Sequence, residues 1–166
     1  MNEPDDSWEA RAADLWKKVD DLAEVEFVSR IEGLVAELPT GNAVGLFERG
    51  AAQDSTGHPE VAVSLYRAAL DSGLTGIRRR RATIQMASSL RNLGDPEQAA
   101  KLLVAELHEA SDELDGAVRA FLALALVDLG REREAVSVSL MALSKYLPRY
   151  NRSLARYAQE ISAKAK

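Results

Sequence analysis

Cysteine is absent from this chain of 166 residues, and aromatic residues make up only 5% of it. The missing cysteine excludes disulfides, thiolate metal ligands and a cysteine nucleophile. No apolar run approaches the roughly 18 residues that a membrane helix needs, and no signal-peptide pattern of basic, apolar and small residues opens the chain. We therefore expect a cytoplasmic protein whose apolar core holds it together without cross-links.

Motifs for catalysis and cofactor binding are also missing. The two histidines, His58 and His108, begin no recognised motif, and there is no Gly-x-Ser-x-Gly elbow, phosphate loop or dinucleotide fingerprint. His108 and Asp112, beside Glu109 and Glu113, have the i,i+4 spacing of metal ligands on one helix face. They lie in a polar segment typical of a solvated helix end, however, so the sequence predicts no metal site, no cofactor and no enzyme activity.

Charge is unevenly distributed along the chain, whose net charge is −5. Residues 1–37 carry eleven acidic and four basic side chains, a balance of −7, whereas residues 145–166 carry six basic and one acidic, a balance of +5. The negative net charge argues against a general nucleic-acid binder. The opposite charges of the two ends indicate either separately solvated helices or a contact between the ends, within one chain or between subunits.

Apolar residues recur at intervals of three and four without an alternating strand pattern, so the sequence predicts an all-α fold. One motif returns three times, as Gly57-His-Pro-Glu-Val-Ala62, Gly94-Asp-Pro-Glu-Gln-Ala99 and Gly130-Arg-Glu-Arg-Glu-Ala135. Its glycine suits the left-handed end of a helix, and its alanine lets a second helix approach closely. In the second copy, Asp95 is the predicted N-cap and Gln98 its capping-box partner. Each motif therefore predicts a tight turn between antiparallel helices.

Small residues precede the three glycines by seven positions, at Gly50, Ala87 and Ala123, and large residues follow two of them by nine, at Tyr66 and Leu103; Ser139 departs from the pattern. The pattern resembles the tetratricopeptide repeat, a helix pair of about 34 residues. More narrowly, segments throughout the later chain resemble a small bacterial family, tetratricopeptide repeat group five: Leu46-Phe-Glu-Arg-Gly50, Ser89-Leu-Arg-Asn-Leu-Gly94, Phe121-Leu-Ala-Leu-Ala-Leu126 and Leu147-Pro-Arg-Tyr150.

This resemblance implies a tetratricopeptide-type α-α superhelix. It comprises an N-terminal helical segment over residues 1–42, three helix-turn-helix repeats over 43–148 and a C-terminal capping helix over 149–166. It also implies a dimeric, non-catalytic protein-interaction module, an adaptor or scaffold, with no chemistry to carry over. The capping helix would cover the apolar face that the last repeat otherwise leaves in water.

In tetratricopeptide arrays the first helix of each pair lines a concave groove, at fixed positions before the turn glycine. Carried over to this chain, those positions predict a peptide-binding groove lined by Phe47, Asp54, Arg81, Ile84, Ser88, Arg91, Asn92, Leu124 and Asp128. Arg81, Arg91 and Asn92 are suited to hold a carboxylate, unless Arg91 pairs with Asp54 or Asp128 and only tethers neighbouring repeats. In a second interpretation, the apolar part of the groove, which lies in the third repeat, is covered by the C-terminal helix or by another subunit.

Two functions of different classes remain open. The first is a module that binds a peptide or extended tail of another protein, and the second is a homodimeric structural protein whose helical surfaces serve self-association. An enzyme or a nucleic-acid binder is a remote alternative, so the expected partner is a protein rather than a nucleic acid or a membrane.

The run Arg78-Arg-Arg-Arg81 begins the first helix of the second predicted repeat. Four cations there oppose the positive end of the helix dipole, so the run needs an anionic counterpart. The acidic N-terminal helices, Asp71, an acidic partner and solvent are the candidates. Four consecutive helical residues point all around the axis, so they do not form one basic face.

Overall fold

The computed structural model describes residues 3–163 of the chain, and within this range it contains nine α-helices and no strand. The helices are α1 Asp6–Trp16, α2 Glu24–Val35, α3 Ala43–Ser55, α4 Pro59–Asp71, α5 Gly76–Asn92, α6 Pro96–Glu106, α7 Asp115–Asp128, α8 Glu132–Ser144 and α9 Asn151–Ala163. The predicted all-α class is confirmed. The predicted terminal segments also include residues 1–2 and 164–166, which lie outside the described residues.

The helices belong to two compact units, Met1–Ser89 and Leu90–Lys166. In the first unit α1 packs on α2, α2 on α3 and α3 on α4. In the second unit α6 packs on α7, α7 on α8 and α8 on α9. Each of these pairs consists of helices that follow one another in the chain, as expected where a helix buries its apolar face on the next.

The three glycine motifs form the predicted turns. Gly57, Gly94 and Gly130 have φ values of +80°, +87° and +68°, in the left-handed region that glycine adopts without steric cost. In each turn the amide of the next residue donates to the carbonyl five positions earlier, at 2.8–3.0 Å. This is the hydrogen bond of a Schellman helix end, and it ends α3, α5 and α7 at the predicted glycines.

The start of α6 matches only half of its prediction. The Asp95 carboxylate accepts a hydrogen bond of 3.1 Å from the Gln98 amide, which confirms the predicted N-cap. The Asp95 amide, however, donates to the Leu90 carbonyl in the preceding turn. The predicted capping box is therefore wrong in its second bond, because the turn already uses the donor that Gln98 would have bonded.

Small residues occupy the closest helix contacts, as the motif predicts. Ala62, Ala99 and Ala135 are all buried. In the α3–α4 pair, a Cβ atom added to Gly50 would lie 2.9 Å from Cδ1 of Tyr66, so only glycine fits there without a shift of the ring. Gly50 thus makes room for the fully buried Tyr66 ring.

The first two helices form a hairpin with its own apolar contacts. Phe27 and Ile31 of α2 are buried beside Leu15, and the Trp16 ring meets Phe27 edge-on, with 5.0 Å between ring centroids. The Trp8 indole donates a hydrogen bond of 2.8 Å to the Leu34 carbonyl. The same apolar cluster includes Ala52 of α3, so the hairpin also packs on the helix that follows it.

Candidate functional site

Five of the predicted groove residues lie in the first unit, and the structure does not expose them all. Phe47 is fully buried and Ile84 nearly so, so neither presents its side chain to a ligand. Ser88 is half-buried. Arg81 is exposed, and its guanidinium carbon lies 5.1 Å from the centroid of the Phe47 ring, a cation–π distance. The Arg81 guanidinium therefore covers the Phe47 ring, and Arg81 rather than Phe47 is exposed to solvent.

Asp54 lies in hydrogen bonds between helices. Its carboxylate accepts a bond of 2.7 Å from the Ser89 hydroxyl of α5 and one of 3.4 Å from the Tyr66 hydroxyl of α4. Burial raises the pKa of Asp54, and the bonds from Ser89 and Tyr66 offset only part of that rise. The carboxylate thus joins α3, α4 and α5, and both of its oxygens are already engaged.

The raised pKa of Asp54 predicts a sign for its effect on stability. A carboxyl that binds its proton more tightly when folded contributes most below its ordinary pKa of about 3.8, and that contribution falls as the pH rises through the folded pKa. We therefore expect the free energy of unfolding of the wild type, minus that of Asp54→Asn, to decrease as the pH rises from about 3.5 to 6. Urea unfolding across this range measures the difference, and a rising difference would contradict the burial of the charge.

Arg78 has the anionic counterpart that the arginine run requires. Its guanidinium donates two bonds to the Glu9 carboxylate, of 2.9 and 2.5 Å, and its Nε lies 3.2 Å from Oε1 of the buried Glu48. The other Glu48 oxygen accepts a bond of 2.7 Å from the Trp16 indole. Burial lowers the pKa of Arg78, but Glu9 and Glu48 more than reverse this. We call these four side chains the Glu48 cluster; among the proposed counterparts, the acidic N-terminal helix is the one that Arg78 contacts.

The other four predicted groove residues lie in the second unit. Arg91 Nε is 2.5 Å from Asp128 Oδ2, although the N–H does not point at the oxygen, so the contact is an ion pair rather than an aligned hydrogen bond. This is the tethering interpretation of Arg91, with Asp128 and not Asp54 as its partner. Asn92 is exposed. Because Asp128 balances the charge of Arg91, a clamp for a partner's carboxylate is weaker than the sequence predicts.

Apolar side chains of α7 remain open to solvent in the second unit. Leu124 is 44% exposed and Val127 is 50% exposed. Ala120, four residues before Leu124, is exposed on the same side of the helix. We call Ala120, Leu124 and Val127 the α7 strip. The last helix, α9, packs on α8 and does not cover the strip.

The polar segment around His108 does not have the helical spacing that a metal pair needs. Helix α6 ends at Glu106, so His108 and Asp112 lie beyond it. Across residues 3–163, no three histidine or acidic side chains are grouped so that they could hold a metal ion. In the same range no helix is long and apolar enough to cross a membrane.

Comparison with known proteins gave one match. The family model described as Tetratrico peptide repeat matches residues 43–161, which is more than two thirds of the chain. The matched region begins at the first residue of α3 and ends within α9. Neither the curated proteins nor the solved structures that were searched contain a match to the chain.

Proposed function

The chain belongs to the tetratricopeptide repeat group five family, and on that premise we propose that it binds an extended peptide segment of another protein. Members of this all-helical family are typically non-catalytic interaction modules. We assign the pairs α3–α4, α5–α6 and α7–α8 to three repeats, and α9 to the cap of the last one. A cytoplasmic location and the absence of nucleic-acid binding stay predictions from the sequence.

The observation that carries this proposal is the α7 strip. Leu124 is a predicted groove residue, and Ala120 and Val127 lie on the same side of the helix; all three are exposed, whereas half of the apolar residues of α7 are buried. A peptide side chain placed on Leu124 and Val127 would remove apolar surface from water, at about 25 cal/mol per Å². The Arg91–Asp128 pair lies at the end of the strip and offers charged groups to the peptide backbone. The ligand class is therefore a peptide with apolar side chains rather than one recognised by its carboxylate.

Selection of peptides from a displayed library, followed by affinity measurement on variants, tests this proposal. We expect Val127→Glu to weaken the binding of selected peptides at least tenfold, or by about 1.4 kcal/mol, because the charge would have to be desolvated under the ligand. Val136→Glu on α8 is the matched control, since Val136 is 48% exposed against 50% for Val127. The control should bind within about twofold of wild type.

Two results would contradict the peptide surface. The first is that no peptide is selected from a library rich in apolar residues. The second is that Val127→Glu and Val136→Glu weaken binding equally, which would place the ligand elsewhere. Thermal unfolding of both variants checks that each remains folded.

Self-association is the second candidate function, and the opposite charges of the chain's two ends favour it. Residues 1–37 have a balance of −7 and residues 145–166 one of +5, so two molecules attract each other end to end. Sedimentation across a dilution series at low ionic strength tests this candidate. A mass that stays that of one chain at every concentration would exclude it.

A further inference from the structure

The connection between α1 and α2 carries acidic side chains that have no partner. Asp20, Asp21 and Glu24 are exposed, and within residues 3–163 none of them forms an ion pair or a side-chain hydrogen bond. Val25 beside them is 84% exposed, the highest value among the large apolar residues described. Lys18 is close in sequence and leaves this group with a balance of −2. We call Asp20, Asp21, Glu24 and Val25 the acidic corner.

The connection between α8 and α9 has the opposite character. Arg149 and Arg152 are exposed, and neither guanidinium has a bonding partner in the described part of the chain. Tyr150 between them is 77% exposed, and the first turn of α9 contains no acidic residue. We call Arg149, Tyr150 and Arg152 the basic corner.

Several other surface charges in the described residues are already paired. Lys17 bonds Asp14, Arg30 bonds Glu26, and Arg11 holds Glu37 with two bonds. In the second unit Lys145 bonds Asp115 and Arg131 bonds Glu134. The two corners stand out because unpaired charge that is mainly of one sign lies beside a highly exposed apolar side chain in each.

We propose that the acidic corner of one molecule binds the basic corner of a second copy of the same chain. The guanidinium groups of Arg149 and Arg152 match carboxylates such as Asp20 and Asp21, and Val25 can pack against the Tyr150 ring. The partner is a copy of this chain because the complementary surface is present on it. A phosphate backbone would instead meet the repulsion of a molecule with net charge −5.

The contact joins different surfaces, so it is heterologous and runs head to tail. Each molecule offers one acidic and one basic corner, and repetition therefore gives a ring or an open chain of molecules. Few charges take part and they are exposed, so the contact is weak and salt-sensitive. This inference rests on the second candidate function, self-association, and not on the α7 strip.

Charge reversal with mixing tests the proposal in the full chain. One variant, Arg149→Glu with Arg152→Glu, keeps only the acidic corner, and the other, Asp20→Lys with Asp21→Lys, keeps only the basic corner. We expect wild type to self-associate at low ionic strength and each variant alone to sediment as a monomer. An equimolar mixture of the two variants should associate again, because the acidic corner of the first variant meets the basic corner of the second and the two reversed corners also carry opposite charges. Salt at about 1 M, where the Debye length is about 3 Å, should dissociate both assemblies.

A matched control distinguishes an effect of the basic corner from an effect of the changed net charge alone. Lys101→Glu with Arg133→Glu changes the net charge by as much as Arg149→Glu with Arg152→Glu does, but at two exposed positions of α6 and α8. This control should associate like wild type. If wild type associates and the mixed variants do not, the corners are not the contact, although self-association stands. If Arg149→Glu with Arg152→Glu associates like wild type, the inference is again overturned. A monomeric wild type at all concentrations overturns both the inference and self-association, and leaves the peptide proposal untouched.

Discussion

Replacing Tyr66 with alanine is expected to lower the free energy of unfolding by about 3–5 kcal/mol, the range for large aromatic residues in a core. The Tyr66 ring is fully buried, and its centroid is 6.1 Å from that of Phe47. It also fills the space that Gly50 leaves open in the α3–α4 pair. Neither helix can close over the missing ring without moving the other, so most of the cavity should persist. Urea unfolding followed by circular dichroism measures the loss.

Three further substitutions make the Tyr66 prediction specific. Tyr66→Phe removes only a long hydrogen bond of 3.4 Å, and Asp54 keeps its bond from Ser89, so the cost should be below about 1 kcal/mol. Leu103 occupies the corresponding position after the second turn glycine and is also buried, so Leu103→Ala should cost about 2–5 kcal/mol. Ser139, at the third position, is exposed, and Ser139→Ala should be close to neutral. Equal costs at the three positions would contradict the repeat register.

The turns and the small residues of the helix pairs could be predicted because each depends on a few neighbouring residues. Gly94 stops α5 and Asp95 starts α6 within two positions, and both were evident from the sequence. The capping box predicted at the start of α6 is the exception. Gln98 completes the capping-box pattern in sequence, but the Asp95 amide has one hydrogen to donate and the turn takes it. A local pattern predicts poorly where two local motifs compete for the same donor.

The groove residues could be placed on helices, but their partners could not be singled out: for Arg91 the sequence offers both Asp54 and Asp128. Arg91 pairs with Asp128, 37 positions later, and Asp54 bonds Ser89, 35 positions later. Long polar side chains have many rotamers, and the partner that one selects depends on how distant helices pack. Repeat spacing predicts which side of a helix a residue occupies. It does not predict whether the residue meets a ligand there or a neighbouring helix, so Phe47 and Ile84 are predicted groove residues that the structure buries.

The sequence gives no indication of the buried carboxylate of Glu48. Glu48 lies in an amphipathic helix pattern where an acidic residue is expected on the solvent side, yet it is nearly inaccessible. It becomes buried because α1, which lies outside the family match, brings Trp16 to it and brings Glu9 to Arg78. The N-terminal helix thus completes the polar contacts of a helix within the matched region.

Arg78→Met is therefore expected to destabilise the chain by about 2–3 kcal/mol. Removing one partner of a buried ion pair typically costs about 3–5 kcal/mol, and the partial exposure of Arg78 reduces that figure here. Glu48 would keep only the Trp16 bond in a position from which water is largely excluded. Arg11→Met is the matched control, because Arg11 also holds a glutamate with two bonds, and both partners are exposed. Its effect on stability should be clearly smaller.

Two measurements distinguish an unpaired Glu48 charge from a general disruption of α5 as the cause of the lost stability. If the unpaired Glu48 charge is responsible, Glu48→Gln should cost less in the Arg78→Met background than in wild type, since a neutral amide can still accept the Trp16 bond. Both tryptophans of the chain, Trp8 and Trp16, lie in α1, so their fluorescence reports on that helix alone. In Arg78→Met the fluorescence transition should precede the circular dichroism transition, because α1 loses its link to α5. Coincident transitions, with additive costs in the double variant, would contradict the role of Arg78 as the link between α1 and the repeats.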